Sequence, residues 1–207
     1  MKKILDKLKL KRKSKILNFL LVTSFIGFIF GVLFIILISK SDQALISEYI
    51  KNFVAKINKN DLDYLTTFKN TLTNNILFVT SIWFLGISIV GLPLILFLYF
   101  AKTFIIGFSF SSFILTYNGV GTVLSLIYLF PHYIINYITY TILVLYALKF
   151  SNLLFNIVFK KKEIIFKNIV NKYITIYIFT ICITIITTIS EVFLTPFLFN
   201  IFSFITK

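Results

Sequence analysis

The sequence predicts an all-α integral membrane protein with about five transmembrane helices. Of its 207 residues, 58 % are apolar and only 14 % are charged, whereas globular proteins average about 45–50 % and about 25 %. The charged residues lie at the ends of long uncharged runs, so a soluble fold would have no polar surface to face water. These runs lack the alternating pattern of transmembrane strands, which favours helices. The composition excludes a soluble enzyme and a disordered chain.

The lengths of the uncharged runs give the predicted spans. A helix needs about 20 residues to cross roughly 30 Å of hydrocarbon. One span fits the first run, three fit the stretch from residue 71 to about 159, and one fits residues 173–206. The predicted organisation is a basic cytoplasmic segment (1–15), a first span (16–39), an external loop (40–70), and a membrane domain (71–207) with about four spans and a basic cytoplasmic loop (160–172).

Two sets of turns are compatible with three crossings in the middle stretch. In one, the chain turns at Lys102 and again near Pro131. In the other, it turns at Gly91–Pro93 and at Asn118–Gly121, which leaves Lys102 inside the bilayer. Proline interrupts a helix and Asn-Gly is a turn signal, so both sets have a physical basis. The sequence does not choose between them.

The basic residues predict the orientation in the membrane, because cytoplasmic segments carry an excess of Lys and Arg. Residues 1–15 hold eight basic residues against one Asp, and residues 160–172 hold five Lys against one Glu. The loop at 40–70 is nearly balanced. An even number of crossings separates the two basic segments, so we expect a cytoplasmic N-terminus and an external C-terminus. The net charge of +14 then indicates contact with membrane lipid and not with nucleic acid.

The residues that carry chemistry are few. The chain has one His, His132, and one Cys, Cys182, and it shows no motif of a hydrolase, a phosphate-binding loop or a metal centre. We therefore expect no catalytic residues, no metal and no cofactor. The protein is predicted not to be an enzyme.

Several polar residues in the apolar stretches are candidate structural or partner-contact positions. Glu191 is costly in a membrane and is a functional candidate, with Lys102 as its partner; hydration of Glu191 at the outer interface and snorkelling of Lys102 remain open. Asn118 is interpreted as a turn, and His132 as a residue at a helix break. The full set is Lys102, Asn118, Pro131, His132, Glu191 and Pro196.

Glycines in the predicted spans are candidate helix-packing positions. Gly27-x-x-x-Gly31 in the first span permits two helices to approach closely. That spacing serves packing within one chain as well as association of two chains, so homo-oligomer formation stays open. Gly86, Gly91 and Gly107 are assigned the same packing role.

Short motifs follow one another in a set order over about residues 66–200. They are Phe68-Lys69-Asn70, Asn74-Asn75, Trp83-Phe84-Leu85-Gly86, Gly91-Leu92-Pro93, Phe100-Ala101-Lys102, Gly107-Phe108, Leu129-Phe130-Pro131 and Glu191 with Thr195-Pro196. By their order and spacing the chain resembles the stage II sporulation protein M family. One departure stands out, because the wider family often carries Pro-His-Gly-x-x-Glu where this chain has Tyr133 and Asn136 in place of the Gly and the Glu.

The resemblance implies a membrane scaffold that acts in engulfment during endospore formation. In that family, the protein lies at the septal and engulfing membranes and localises two peptidoglycan-degrading partner proteins. The alternative is a small transporter or channel built on Lys102, His132 and Glu191. A transporter usually has internal repeats, which this sequence does not show, so the scaffold is favoured.

Overall fold

A computed structural model describes residues 2–59, 61–129, 132–160 and 166–201, and the elements in these ranges are all helical. This confirms the prediction of an all-α protein. The helices are α1 (Lys2–Leu37), α2 (Lys40–Asn58), α3 (Tyr64–Gly86), α4 (Gly91–Leu129), α5 (His132–Lys160), α6 (Phe166–Ile189) and α7 (Thr195–Ile201), with a π-helical turn (Ser190–Leu194) between the last two.

Four helical stretches among the described residues are long and apolar enough to cross a membrane. They are Lys15–Leu37, Gly91–Leu129, His132–Ile157 and Lys167–Phe199. Helix α3 is not one of them, although it has 23 residues, because polar residues such as Lys69, Asn74 and Asn75 occupy its first half. The chain is therefore a helical membrane protein, while the fifth crossing and the orientation stay predictions.

Helix α4 reverses direction at Asn118, whose backbone has φ 51° and ψ −129°. Asn tolerates positive φ better than most residues do. The rings of Phe113 and Tyr128 lie 5.2 Å apart, whereas a straight helix would separate fifteen residues by about 22 Å. The turns thus lie close to the second predicted set: one at residues 87–90, directly before Gly91–Pro93, which begin α4, and one at Asn118. Lys102 lies within the helix, not at a turn, and Pro131 falls outside the described residues.

Helices α3, α5 and α6 pack against one another as a bundle, and α4 packs against α3 and α5 on one side and against α1. Helix α6 runs antiparallel to α3, because the Tyr173 hydroxyl donates to the Trp83 carbonyl at 2.8 Å near one end, whereas Asn75 bonds Thr188 nearer the other. The core between the helices consists of fully buried apolar residues, among them Val79, Ile82, Ile95, Tyr99, Leu143 and Val144. This packing brings the polar residues of four different helices to one level of the bundle.

The predicted external loop at 40–70 contains a folded helix, α2. Ser39 caps it by accepting a hydrogen bond from the Asp42 amide at 3.2 Å. The helix is amphipathic, since Ile50, Val54 and Ile57 are buried at helical spacing and pack in a cluster with Phe113, Leu124 and Phe199. Helix α2 therefore covers the turn of α4 and the end of α7.

Asp63 begins helix α3 in the same way. Its carboxylate accepts a hydrogen bond from the Thr66 amide at 3.1 Å, which satisfies one free donor of the first turn. The hydrogen bonds from the Thr66 side chain and backbone hold the pKa of Asp63 below its usual value. Asp63 therefore fixes the first residue of α3.

Cysteine labelling would test the predicted orientation. Single cysteines replace Asn58, Asn168 and Thr206 in a Cys182→Ser background; Thr206 lies outside the described residues. We expect a membrane-impermeant thiol reagent to label positions 58 and 206 in intact cells, because both are predicted to be external. Position 168 should react only after the cells are opened. Labelling of position 168 in intact cells would overturn the predicted topology.

Candidate polar site inside the helix bundle

Polar side chains from α3, α4, α5 and the π-helical turn surround one cavity of about 180 Å³. The cavity is lined by Thr71, Asn74, Asn75, Lys102, Tyr133, Asn136 and Glu191. Asn75 and Asn136 are about 95 % buried, and buried amides of this kind require hydrogen-bond partners. A polar cavity between apolar helices is the most unusual feature of the described structure.

Lys102 contributes the positive charge of the cavity. Its Nζ donates a hydrogen bond to Asn75 Oδ1 at 3.2 Å. It also lies 5.1 Å from the ring centroid of Phe78 and 5.7 Å from that of Tyr140, within the range of cation–π attraction. The three contacts hold an ammonium group in the interior of the bundle, where an unpartnered charge would be costly.

Two threonines of α6 orient the two amides. Asn75 Nδ2 donates to Thr188 Oγ1 at 3.3 Å, and Thr187 Oγ1 donates to Asn136 Oδ1 at 2.6 Å. The Thr188 hydroxyl donates to the carbonyl of Thr184 in its own helix at 2.8 Å, a common arrangement for hydroxyls in helices. Thr187 Oγ1 lies 3.0 Å from the same carbonyl and has a single proton, which the shorter contact directs to Asn136. Helices α3 and α5 are thereby tied to consecutive residues of α6.

Glu191 contributes the negative charge and lies in the π-helical turn. The Thr195 amide bonds to the carbonyl of Ser190, five residues earlier. Pro196 follows directly; it has no amide hydrogen, and its ring does not fit the carbonyl of the preceding turn. This accounts for the wider turn, and π-helical turns are frequent at functional sites. The Glu191 side chain keeps 20 % exposure.

His132 lies next to the carboxylate and is fully buried. Its Nε2 is 4.0 Å from Glu191 Oε1, too long for a hydrogen bond. Its Nδ1 is 3.4 Å from Thr195 Oγ1. Among the described residues, Nε2 has no hydrogen-bond partner. The imidazole is therefore adjacent to the Glu191 carboxylate but forms no hydrogen bond with it.

The structure brings together three of the predicted candidates, Lys102, His132 and Glu191. Lys102 and Glu191 line the same cavity, but no ion pair joins them in the described part of the chain. Pro196 follows Thr195, whose hydroxyl lies 3.4 Å from His132 Nδ1, whereas Asn118 lies at the α4 turn. Pro131 is outside the described residues.

Sequence reasoning missed the two amides and the threonines that hold them. In the sequence, Asn75 belongs to the Asn74-Asn75 motif, and Asn136 stands where the wider family has the Glu. Both line the cavity. For Asn136 the available signal is an amide side chain within a mostly apolar stretch, where a polar group needs a buried partner. Asn75 lies in the polar first half of α3, where an amide does not stand out. Thr187 and Thr188 gave no such signal because threonine is common along α6.

The predicted packing glycines lie where helices or turns approach closely. A Cβ atom on Gly27, Gly31 or Gly107 would overlap Thr103, Phe104 or Phe28 respectively. These contacts join α1 to α4 of the same chain, so the Gly27–Gly31 face is not free for a second copy. Beyond α1, a Cβ atom would overlap the Tyr173 hydroxyl at Gly86 and the Leu85 carbonyl at Gly91.

The fold and the site define a class: a multi-pass helical membrane protein with a polar cavity inside its bundle. The sequence profile of stage II sporulation protein M matches residues 20–196. The chain belongs to the stage II sporulation protein M family. The match runs from within α1 to Pro196, and thus includes every residue that lines the cavity. Comparisons with curated proteins and with solved structures gave no match.

Proposed function

We propose that the protein is a membrane scaffold of endospore formation that localises peptidoglycan-degrading partner proteins at the septal membrane and is required for engulfment. The observation that carries the proposal is the family match over residues 20–196. The protein acts by positioning its partners, without catalysis of its own. Its site of action is the sporulation septum and then the engulfing membrane.

Helix α2 supports this proposal because it presents a folded surface on the side of the membrane that we expect to be external. Its inner face is fixed against α4 and α7 by Ile50, Val54 and Ile57. Beside this face, Leu45 and Tyr49 are 64 % and 73 % accessible and line an open groove between α2 and α4. Exposed aromatic and aliphatic groups beside a charged helix face suit contact with another protein. Exported hydrolases would reach α2 without entering the membrane.

Imaging during starvation tests the scaffold. A fluorescent fusion is expected to gather at the asymmetric septum, and a labelled peptidoglycan-degrading partner is expected to lose its septal position when the protein is deleted. Tyr49→Ser should weaken partner recruitment at normal protein level, whereas Thr175→Ser, an exposed change on α6, should have no effect. A uniform membrane label during both growth and starvation would contradict the proposal.

Transport is the second candidate function, and the polar cavity favours it. Lys102 and Glu191 line one cavity of about 180 Å³ together with three asparagines, and intramembrane charges commonly mark a substrate or ion pathway. A transporter would need the charge of Glu191 itself, whereas a scaffold would need only its hydrogen bonds. Glu191→Gln, which removes only the charge, and Glu191→Leu, which removes the polar atoms as well, separate the two functions.

A further inference from the structure

The polar cavity presents one positive and one negative group to the same space. Lys102 and Glu191 both line it. Within residues 61–129 and 166–201, no direct ion pair joins the two side chains. The two groups attract each other across the cavity, and the Asn75 side chain lies between them, so a ligand with the reverse arrangement of charges would pair with both groups. Such a ligand carries an anionic and a cationic group and has no net charge.

The size of the cavity restricts the ligand further. A volume of about 180 Å³ corresponds to about six water molecules, since each takes up roughly 30 Å³ of liquid. A solute of five or six non-hydrogen atoms fits this space with room for water, so the cavity admits a ligand of amino-acid size. Asn74, Asn75 and Asn136 line the same walls and supply amide donors and acceptors around the two charges.

The surroundings favour a water-soluble ligand over a membrane lipid. A large apolar groove of about 470 Å³ lies on the other side of Tyr133, beside Thr103 and Ile106. The space between groove and cavity measures only about 10 Å³, at the lower limit for one water molecule. Thr71 is half-buried and Asn74 is exposed, so the cavity is reached along the first half of α3 and not from the groove.

We propose that this cavity binds one small zwitterion of the size of glycine or alanine. The carboxylate of the ligand meets the Lys102 ammonium and the amide groups of the asparagines. The ammonium of the ligand meets the Glu191 carboxylate. This inference does not depend on the scaffold role, because it concerns the purified protein alone.

Equilibrium dialysis of the full-length protein in detergent tests the inference with radiolabelled glycine. We expect saturable binding of one glycine per chain, competed by alanine. Acetate and methylammonium each carry only one of the two charges and should compete about tenfold more weakly or worse, since each loses one charge-assisted hydrogen bond. Absence of saturable glycine binding would overturn the proposal. Competition by acetate and methylammonium as strong as that by alanine would also overturn it.

Variants locate the binding site. Lys102→Met and Glu191→Gln should each weaken glycine binding about tenfold or more. The matched changes Lys51→Met and Glu48→Gln, both at exposed positions of α2, should leave glycine binding unchanged. Retained binding in Lys102→Met would place the ligand elsewhere and refute the site. If a cavity variant does not fold, the competition series with the unmodified protein still decides the question.

Discussion

Gly31→Ala is expected to destabilise the protein by about 1–3 kcal/mol, the usual cost of inserting a methyl group into a closely packed contact. The new Cβ atom would overlap the carbonyl oxygen of Phe104 and approach the Phe108 amide to 2.7 Å. Both are backbone atoms, which cannot rotate away as a side chain can, so α1 and α4 must separate. The measurement is the free energy of unfolding of the purified protein in mixed detergent micelles.

Gly119→Ala is the matched control for Gly31→Ala. A Cβ atom at Gly119 would meet nothing within 4 Å, and no glycine in the described residues has positive φ. This variant should therefore stay within about 0.5 kcal/mol of the unmodified protein. Equal stability of the Gly31→Ala and Gly119→Ala variants would mean that α1 and α4 do not pack through Gly31.

Glu191→Gln is expected to support engulfment at a normal protein level if the protein is a scaffold. Glutamine keeps the shape of the side chain and most of its hydrogen bonding, and it removes only the charge. Glu191→Leu removes the polar atoms as well and leaves the Asn75 side chain without its hydrogen bond to Glu191, at a cost of about 1–3 kcal/mol. We therefore expect the Leu variant to reduce protein abundance, and engulfment to fall with it.

The readout is completion of engulfment, normalised to membrane protein level by immunoblot. Glu48→Gln and Glu48→Leu, at an exposed position of α2, are the matched controls and should behave like the unmodified protein. If the protein moves protons or cations, both Glu191 variants should be inactive at normal abundance, since the charge itself is then essential. Loss of function in Glu191→Gln, with partners still correctly placed, would contradict the scaffold proposal for this residue.

Local sequence patterns are sufficient for the membrane class and for the helical fold. Helix α2 is not evident from them. Residues 40–58 form an amphipathic helix with a Ser39 cap, but in the sequence they lie between charged residues and are typical of an external loop. Their apolar positions at Ile50, Val54 and Ile57 have a helical spacing. What they pack against is set by α4 and α7, which are distant in sequence.

The turns of the middle stretch show where local signals become insufficient. Lys102, Gly91–Pro93, Pro131 and Asn118 were all candidate breaks, and each has a local physical basis. The structure keeps Lys102 in the helix, because Asn75, Phe78 and Tyr140 surround its ammonium group. A lysine at a turn would gain hydration instead. The choice depends on partners from α3 and α5, which the sequence near Lys102 does not contain.

The sequence by itself determined that the protein is a helical membrane protein and which family it belongs to. These conclusions rest on hydropathy, the positions of the charges and the order of the motifs, which are properties of the chain alone. Only the tertiary structure decided that Lys102, Asn75, Asn136 and Glu191 share one cavity. These residues come from different helices, and the nearest two in sequence are separated by 27 residues. Their proximity depends on how the helices pack against one another. That packing is set by close contacts such as Gly86 against Tyr173.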